Sequence, residues 1–197
     1  MLLSEIAARL DRFAYTTAQV HGARAAAVSI VVVYQCGEYG VWLTKRSPHM
    51  REHPGQYVLP GGRLELGESH DEAALRELSE ELGVNLSRDH VLGRLDDYRT
   101  RSGYVITPIV CWAGREHVIR PNPDEVSSVH FVPFTDLLTT PRFVSISQSE
   151  RPVIQLPLLG VLIHAPTGAV LYQFAEVVLR DRHTRVDGFE EPTISWP

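Results

Sequence analysis

Residues 61–84 read GGRLELGESHDEAALRELSEELGV. Within them Gly62, Glu68, Arg76, Glu77, Glu80, Glu81 and Gly83 stand at fixed spacings, with apolar Leu78 and Val84 in two further slots. At ordinary residue usage a chain of this length would hold that pattern by chance with odds on the order of 10⁻⁷. Ser69 is a good N-cap and Glu72 follows three residues later, a capping box that opens a helix over residues 70–82. Gly83 supplies the left-handed position that ends it. Leu75, Leu78 and Leu82 form one apolar stripe, so the helix should lie on a core.

Glu77 and Glu81 are four residues apart and share a helix face, with Glu80 beside them. Three ionised glutamates this close repel one another. A solvated acidic face is the ordinary explanation of such a cluster. Here the cap, the glycine turn and Arg76 coincide with it, and a divalent cation would relieve the repulsion. Mg²⁺ takes oxygen ligands, keeps several waters and is commonly completed by substrate phosphates. Pro60-Gly61-Gly62 lets the backbone come close to a metal or a phosphate, because glycine has no Cβ. Glu68 and Arg76 are equally well explained as a salt bridge that fixes the loop to the helix.

The whole pattern resembles the Nudix box, here residues 62–84. That resemblance implies an α/β class fold, an α/β/α sandwich with a mixed curved sheet and a loop–helix–loop catalytic motif. It implies Mg²⁺ as cofactor, with Mn²⁺ as a substitute. By the same resemblance the carbonyl of Gly61 and the carboxylates of Glu77, Glu80 and Glu81 would be metal ligands. Catalytic roles would fall to Glu80, Glu77 and Arg76, with Gly62 against the substrate and Glu68 and Gly83 shaping the motif. The general base is left open between Glu80 inside the box and Asp124, Glu125 or Glu176 outside it.

A second motif precedes the box. Trp42-Leu43-Thr44-Lys45-Arg46-Ser47, then Arg51, Gly55 and Leu59-Pro60-Gly61-Gly62, is similar to the extra signature of the coenzyme A pyrophosphatase branch. Trp42 and Leu59 depart from it, each keeping apolar character. Arg46 and Arg51 would bind phosphate, since guanidinium groups hold it in bidentate geometry. Tyr57, Tyr98 and Tyr104 are candidates to stack an adenine or simply to pack. The expected reaction is hydrolysis of coenzyme A or a derivative to 3′,5′-ADP and 4′-phosphopantetheine. ADP-ribose, nucleotide sugars and nucleoside triphosphates are alternative substrates, and a non-catalytic nucleotide-binding regulator is the alternative of another class.

The remaining features set bounds. The 197 residues suit one domain, 44% are hydrophobic and 22% charged, and the net charge is −5. No basic surface advertises nucleic acid, and no apolar run is long enough to cross a bilayer. Cys36 and Cys111 sit in apolar runs and read as buried free thiols of a cytoplasmic protein. The nine histidines include no H-x3-H pair, which argues against zinc. The box resemblance implies a small-molecule diphosphate as partner, and the sequence leaves room for a homodimer. Periodicity gives a helix over about residues 2–13, and strands over 24–34, 41–45, 56–59, 91–98, 104–112 and 125–132. A short helix follows at 134–138, a loop at 139–149, and a last strand at 158–163. A helix capped by Thr167 runs to residue 179, and a polar tail follows it to residue 197.

Overall fold

Residues 26–33, AAVSIVVV, carry apolar side chains on both faces and must be covered on both. They form the middle of a central strand in the computed structural model, which describes residues 3–19, 22–50, 53–115 and 117–193. In chain order the helices are α1 (Leu3–Arg12), α2 (His70–Leu82), α3 (Phe134–Leu137) and α4 (Thr167–Phe174). The strands are β1 (Arg24–Gln35), β2 (Glu38–Arg46), β3 (Tyr57–Val58), β4 (Gly61–Arg63), β5 (Val91–Arg94) and β6 (Tyr98–Arg99). They continue as β7 (Tyr104–Arg115), β8 (Val126–Pro133), β9 (Arg142–Ile146), β10 (Ser149–Leu158) and β11 (Val161–His164).

The chain divides into two compact units. One comprises residues 26–93 and 109–134. Its sheet runs β3-β2-β1-β7-β5, with β4 paired to β1 and β8 paired to β2. Helix α2 lies on this sheet. Leu75, Leu78 and Leu82 pack with Val31 and Val33 of β1, Trp42 of β2, and Cys111 and Ala113 of β7. Ala73 and Ala74 take the tighter contact with Ala27 and Ile109. Ser29, buried in β1, donates to the Ala74 carbonyl at 2.9 Å, so helix and sheet are joined by a polar bond as well. Truncating fully buried Leu78 to alanine would cost about 2–5 kcal/mol.

The other unit comprises residues 1–25, 94–108 and 135–197. A three-stranded antiparallel sheet, ordered β11-β10-β9, carries Ile154, which packs with Tyr98, Ala165, Ala169 and Val186. Arg9 of α1 donates to the carbonyls of Val178 and Leu179 at 2.7 and 3.1 Å, closing the end of a π-helical turn (Ala175–Leu179) that follows α4.

The structure corrects several expectations. The first helix is shorter than residues 2–13, and Leu2 lies outside the described residues. Residues 139–149 are not all loop: Arg142–Ile146 form β9, and Ser149 begins β10. Four of the five β9 residues are exposed, so no inward–outward alternation marks it. The expected last strand at 158–163 is met by β11 over residues 161–163, but it starts late, because Leu158 ends β10 and residues 159–160 form the turn between the two strands. The strand expected over 91–98 breaks before Asp96, whose buried carboxylate accepts from Arg185 at 2.7 Å, Gln173 at 2.6 Å and the Thr16 backbone at 2.6 Å. Thr167 does not cap α4; it is the buried first residue of the helix, with Pro166 before it. Cys111 is buried, but Cys36 is exposed in the β1–β2 turn. Tyr98 is core, donating its hydroxyl to the Phe189 carbonyl at 3.1 Å, so it cannot stack a base.

Candidate active site

The local chemistry of the box produces the expected helix. Ser69 caps it reciprocally with Glu72, and Gly83 closes it at φ 67° while donating its N–H to the Ser79 carbonyl at 2.9 Å. In front of the helix β4 pairs antiparallel with β1, Gly62 opposite Ala27 and Gly61 opposite Val28. A Cβ on Gly61 would run into the Ala27 carbonyl, and one on Gly62 would run into the Glu77 carboxylate. The two glycines are therefore needed for close approach, and Glu77 is the group that approaches.

Arg76 is the organising cation. Its Nε and Nη2 donate to the two oxygens of Glu68 at 2.9 and 3.1 Å, a bidentate pair. Its Nη1 donates to Glu77 at 2.8 Å and Glu80 at 3.0 Å, and its Nη2 to the Arg63 carbonyl at 3.0 Å. Glu68 also accepts from the Glu65 backbone at 2.9 Å, which closes the box loop. The Arg76 hydrogen bond holds the Glu68 carboxyl below the usual range against a smaller opposing effect of burial. Of the two explanations for Glu68 and Arg76, the geometry favours the loop clamp, with Arg76 additionally steering Glu77 and Glu80.

The other carboxylates are less well compensated. Glu77 is pushed up by burial, partly offset by Arg76, with Glu80 and Glu125 adding repulsion. Glu81 is only 5% exposed. Its carboxyl is pushed up to about 8, first by burial and then by the charge of Glu77. A hydrogen bond from the Gly61 backbone and the charge of Arg46 oppose the rise, while Glu125 contributes to it. Glu80 differs, with its side chain 55% exposed and paired to Arg76. Spacing alone places these three glutamates together; the fold instead buries one, half-buries another and turns the third to solvent.

Three segments converge at the end of α2. The backbone N–H of Arg120 donates to the Leu82 carbonyl at 2.7 Å, and that of Asn122 to the Glu81 carbonyl at 2.8 Å. Ser47, at the end of β2, donates its N–H to the Glu125 carbonyl at 2.8 Å, and Arg46 pairs with Val126. The structure thus groups Gly61, Gly62, Arg46, Glu77 and Glu81, and brings the charge of Glu125 to bear on the last two. Arg51 lies outside the described residues. Asp124 is exposed at the same loop. Glu176 belongs to the other unit, where Arg180 at 2.7 Å and Thr184 at 3.2 Å hold it in an ion-paired role. Tyr104 carries the Arg24 guanidinium over its ring at 4.0 Å. Asn122 was not singled out from sequence, although Asn-Pro-Asp is a turn signal in which the asparagine side chain bonds the backbone two residues on.

The candidate donors are all oxygens: the Gly61 carbonyl and the carboxylates of Glu77, Glu80, Glu81 and Glu125. That set suits Mg²⁺ or Mn²⁺. Among the described residues no three Asp, Glu, His or Cys side chains already surround one point. The residues fit a dication by their chemistry and by the uncompensated acidity around Glu81, with further oxygens expected from water and substrate. Among the described residues no helix is long and apolar enough to cross a membrane.

Known proteins bear on this arrangement. Residues 23–153 match the NUDIX domain family model. Nudix hydrolase 3 of Caenorhabditis elegans is 38% identical over 137 residues, covering 68% of this chain and 57% of that protein. NudL, an uncharacterised Nudix hydrolase of Yersinia enterocolitica, is 37% identical over 119 residues, covering 60% of each. The chain therefore spans somewhat under two thirds of those relatives. A MutT/nudix family protein from Enterococcus faecalis shares the α/β fold at a TM-score of 0.56 and 15% identity, covering 91% of this chain and 69% of that one. Because the matched region contains the whole box and the strands that hold it, the chain belongs to the Nudix family.

Proposed function

We propose that this chain hydrolyses the diphosphate linkage of a nucleoside-diphosphate-linked compound, and that coenzyme A or a derivative is the substrate. The observation that carries the hydrolase reading is the meeting of Glu77 with Gly62 and of Glu81 with Gly61 in a field that Glu125 makes more negative. The coenzyme A assignment rests on the motif over residues 42–62, of which Arg46 reaches the field of Glu81.

Glu77, Glu81 and the Gly61 carbonyl would hold the dication. When bound, it neutralises the diphosphate and makes water more acidic. Arg76 keeps Glu77 and Glu80 oriented. Glu80, the most solvent-facing of the three helix carboxylates, takes the proton of the attacking water. The water oxygen bonds to one phosphorus, the bridging P–O bond breaks, and the leaving phosphate keeps the electron pair. Arg46 and Arg51 hold phosphate groups of the substrate.

Mass-spectrometric identification of products from coenzyme A, ADP-ribose and nucleoside triphosphates, with and without Mg²⁺, tests the assignment. The expected result is 3′,5′-ADP and 4′-phosphopantetheine, formed only with metal. Equal or better turnover of ADP-ribose would defeat the coenzyme A assignment, and binding without turnover of any of them would defeat the enzymatic one. Glu80→Gln should lower kcat with little change in the metal requirement, whereas Glu81→Gln should raise that requirement.

A further inference from the structure

Loop residue Asn122 has all four of its polar groups engaged, and two of its bonds reach the acidic site. Its backbone N–H donates to the Glu81 carbonyl at 2.8 Å. Its own carbonyl accepts from the N–H groups of Glu125 at 3.1 Å and Val126 at 2.8 Å. Its Oδ1 accepts from the Asp124 N–H at 3.2 Å, closing a side-chain turn. Its Nδ2 donates to Glu125 Oε1 at 3.4 Å. The backbone N–H, the backbone carbonyl and Oδ1 build the loop and cap the end of α2. The Nδ2 bond does neither. It acts on one carboxylate, and that carboxylate bears on both Glu77 and Glu81.

The geometry points to Asn122 as a positioning residue, which ties the Glu125 carboxylate to the backbone of Glu81 so that the loop acid and the box acids present their oxygens to one dication. Four facts support this. Glu125 lies at the junction of three segments, its carbonyl held by the Ser47 N–H. The residue is partly buried, so its rotamers are limited but not fixed by packing alone. Asn122 supplies a neutral donor, which orients a carboxylate without neutralising it, whereas an arginine there would compete with a metal for its oxygens. Finally, the amide reaches Glu125 from a residue whose backbone is bonded to Glu81, so a shift of α2 is carried to the loop acid. Outer hydrogen bonds of this kind commonly change metal affinity by about 10–100-fold.

The inference rests on the proposed dication site. It can be tested with Mn²⁺, followed by electron paramagnetic resonance in the presence of α,β-methylene-ADP. The variants are Asn122→Ser, Glu125→Ala and the pair combined. Serine keeps an acceptor for the Asp124 N–H but removes the Nδ2 donor, so the loop turn survives. The thermal midpoint of Asn122→Ser should stay close to that of the unmodified chain, while its Mn²⁺ dissociation constant rises about tenfold. In the Glu125→Ala background the serine substitution should add nothing, because the amide acts through that carboxylate. Unchanged Mn²⁺ affinity in Asn122→Ser would overturn the inference alone, as would an equal loss with and without Glu125. No Mn²⁺ binding by the unmodified chain would overturn the dication site, and this inference with it.

Discussion

Two buried carboxylates, one in each unit, have opposite fates. Glu81 is 5% exposed and is pushed up to about 8. Glu190 is 1% exposed, yet its carboxyl is held down to about 2. Burial opposes ionisation at both. At Glu190 it is overcome by hydrogen bonds from Arg101, the Glu191 backbone, Ser149 and Arg151. At Glu81 the contacts that favour charge are the Gly61 backbone and the field of Arg46, and two further glutamates work against them. Burial alone therefore does not mark a functional acid. An acid buried without enough cations needs a cation from outside, and an acid with two arginines is already satisfied.

The largest expected effect comes from removing the under-compensated acid. If the proposed site holds the dication, Glu81→Gln should lower diphosphate hydrolysis by two or more orders of magnitude, because it removes a proposed ligand. Above pH 8 the same change should leave the thermal midpoint of the metal-free chain unchanged or higher, since a poorly paired buried charge is gone. Glu190→Gln should do the reverse. Arg101 and Arg151 lose their counter-charge, and stability should fall by about 3 kcal/mol, near the lower end for breaking a buried pair because both arginines are partly exposed. Parallel thermal melts and rate assays at a temperature where both variants are folded would separate the two. A Glu81→Gln chain that melted as low as Glu190→Gln would break the comparison.

Gly62→Ala is a smaller perturbation of the same site. The added Cβ meets the Glu77 carboxylate, which must move away from β4. Activity should fall by at least tenfold, with a cost of about 1–3 kcal/mol in stability, both measurable on one preparation. Full activity in this variant would mean that Glu77 need not stand where the structure places it.

The pH dependence of stability should be the most graded effect. Glu190 has a folded pKa below its ordinary value near 4.5, so its contribution is present above that value and is lost as pH falls toward 2. Glu81 has a raised folded pKa, so its contribution is present below 4.5 and is lost as pH rises through 8. Its neighbour in sign is Glu191, pushed up to about 7 chiefly by burial, which loses its contribution as pH rises through 7. The metal-free chain should thus lose stability from pH 5 to 8, and Mg²⁺ should recover the part due to Glu81. Melting curves across this range, with and without Mg²⁺, provide the check.

The contrast between the two acids also explains what could be read from the chain. The box helix was legible because its determinants are three or four residues apart: Ser69 with Glu72, Gly83 with Ser79, and the leucine stripe. The strands β1 and β7 were legible from runs of β-branched residues. The β9–β10 hairpin was not, because Phe143 and Val144 are exposed and the serines and prolines around them look like loop, and only β11 showed in part. The buried role of Glu190 was equally hidden, since its arginines are 89 and 39 residues away in sequence. At the site, spacing found Glu77, Glu80 and Glu81 but not their order of burial. Nor did it find the loop through Arg120 and Asn122, which bonds to the carbonyls at the end of α2.

Glu81 is buried with too little positive charge around it, whereas Glu190 is matched by two arginines. Mn²⁺ titration of the unmodified chain, Glu81→Gln and Glu190→Gln, read by electron paramagnetic resonance, tests this central claim most directly. The unmodified chain and Glu190→Gln should bind the ion with similar affinity, and Glu81→Gln should bind it much more weakly. Equal affinity in all three, or no binding in any, would contradict the claim.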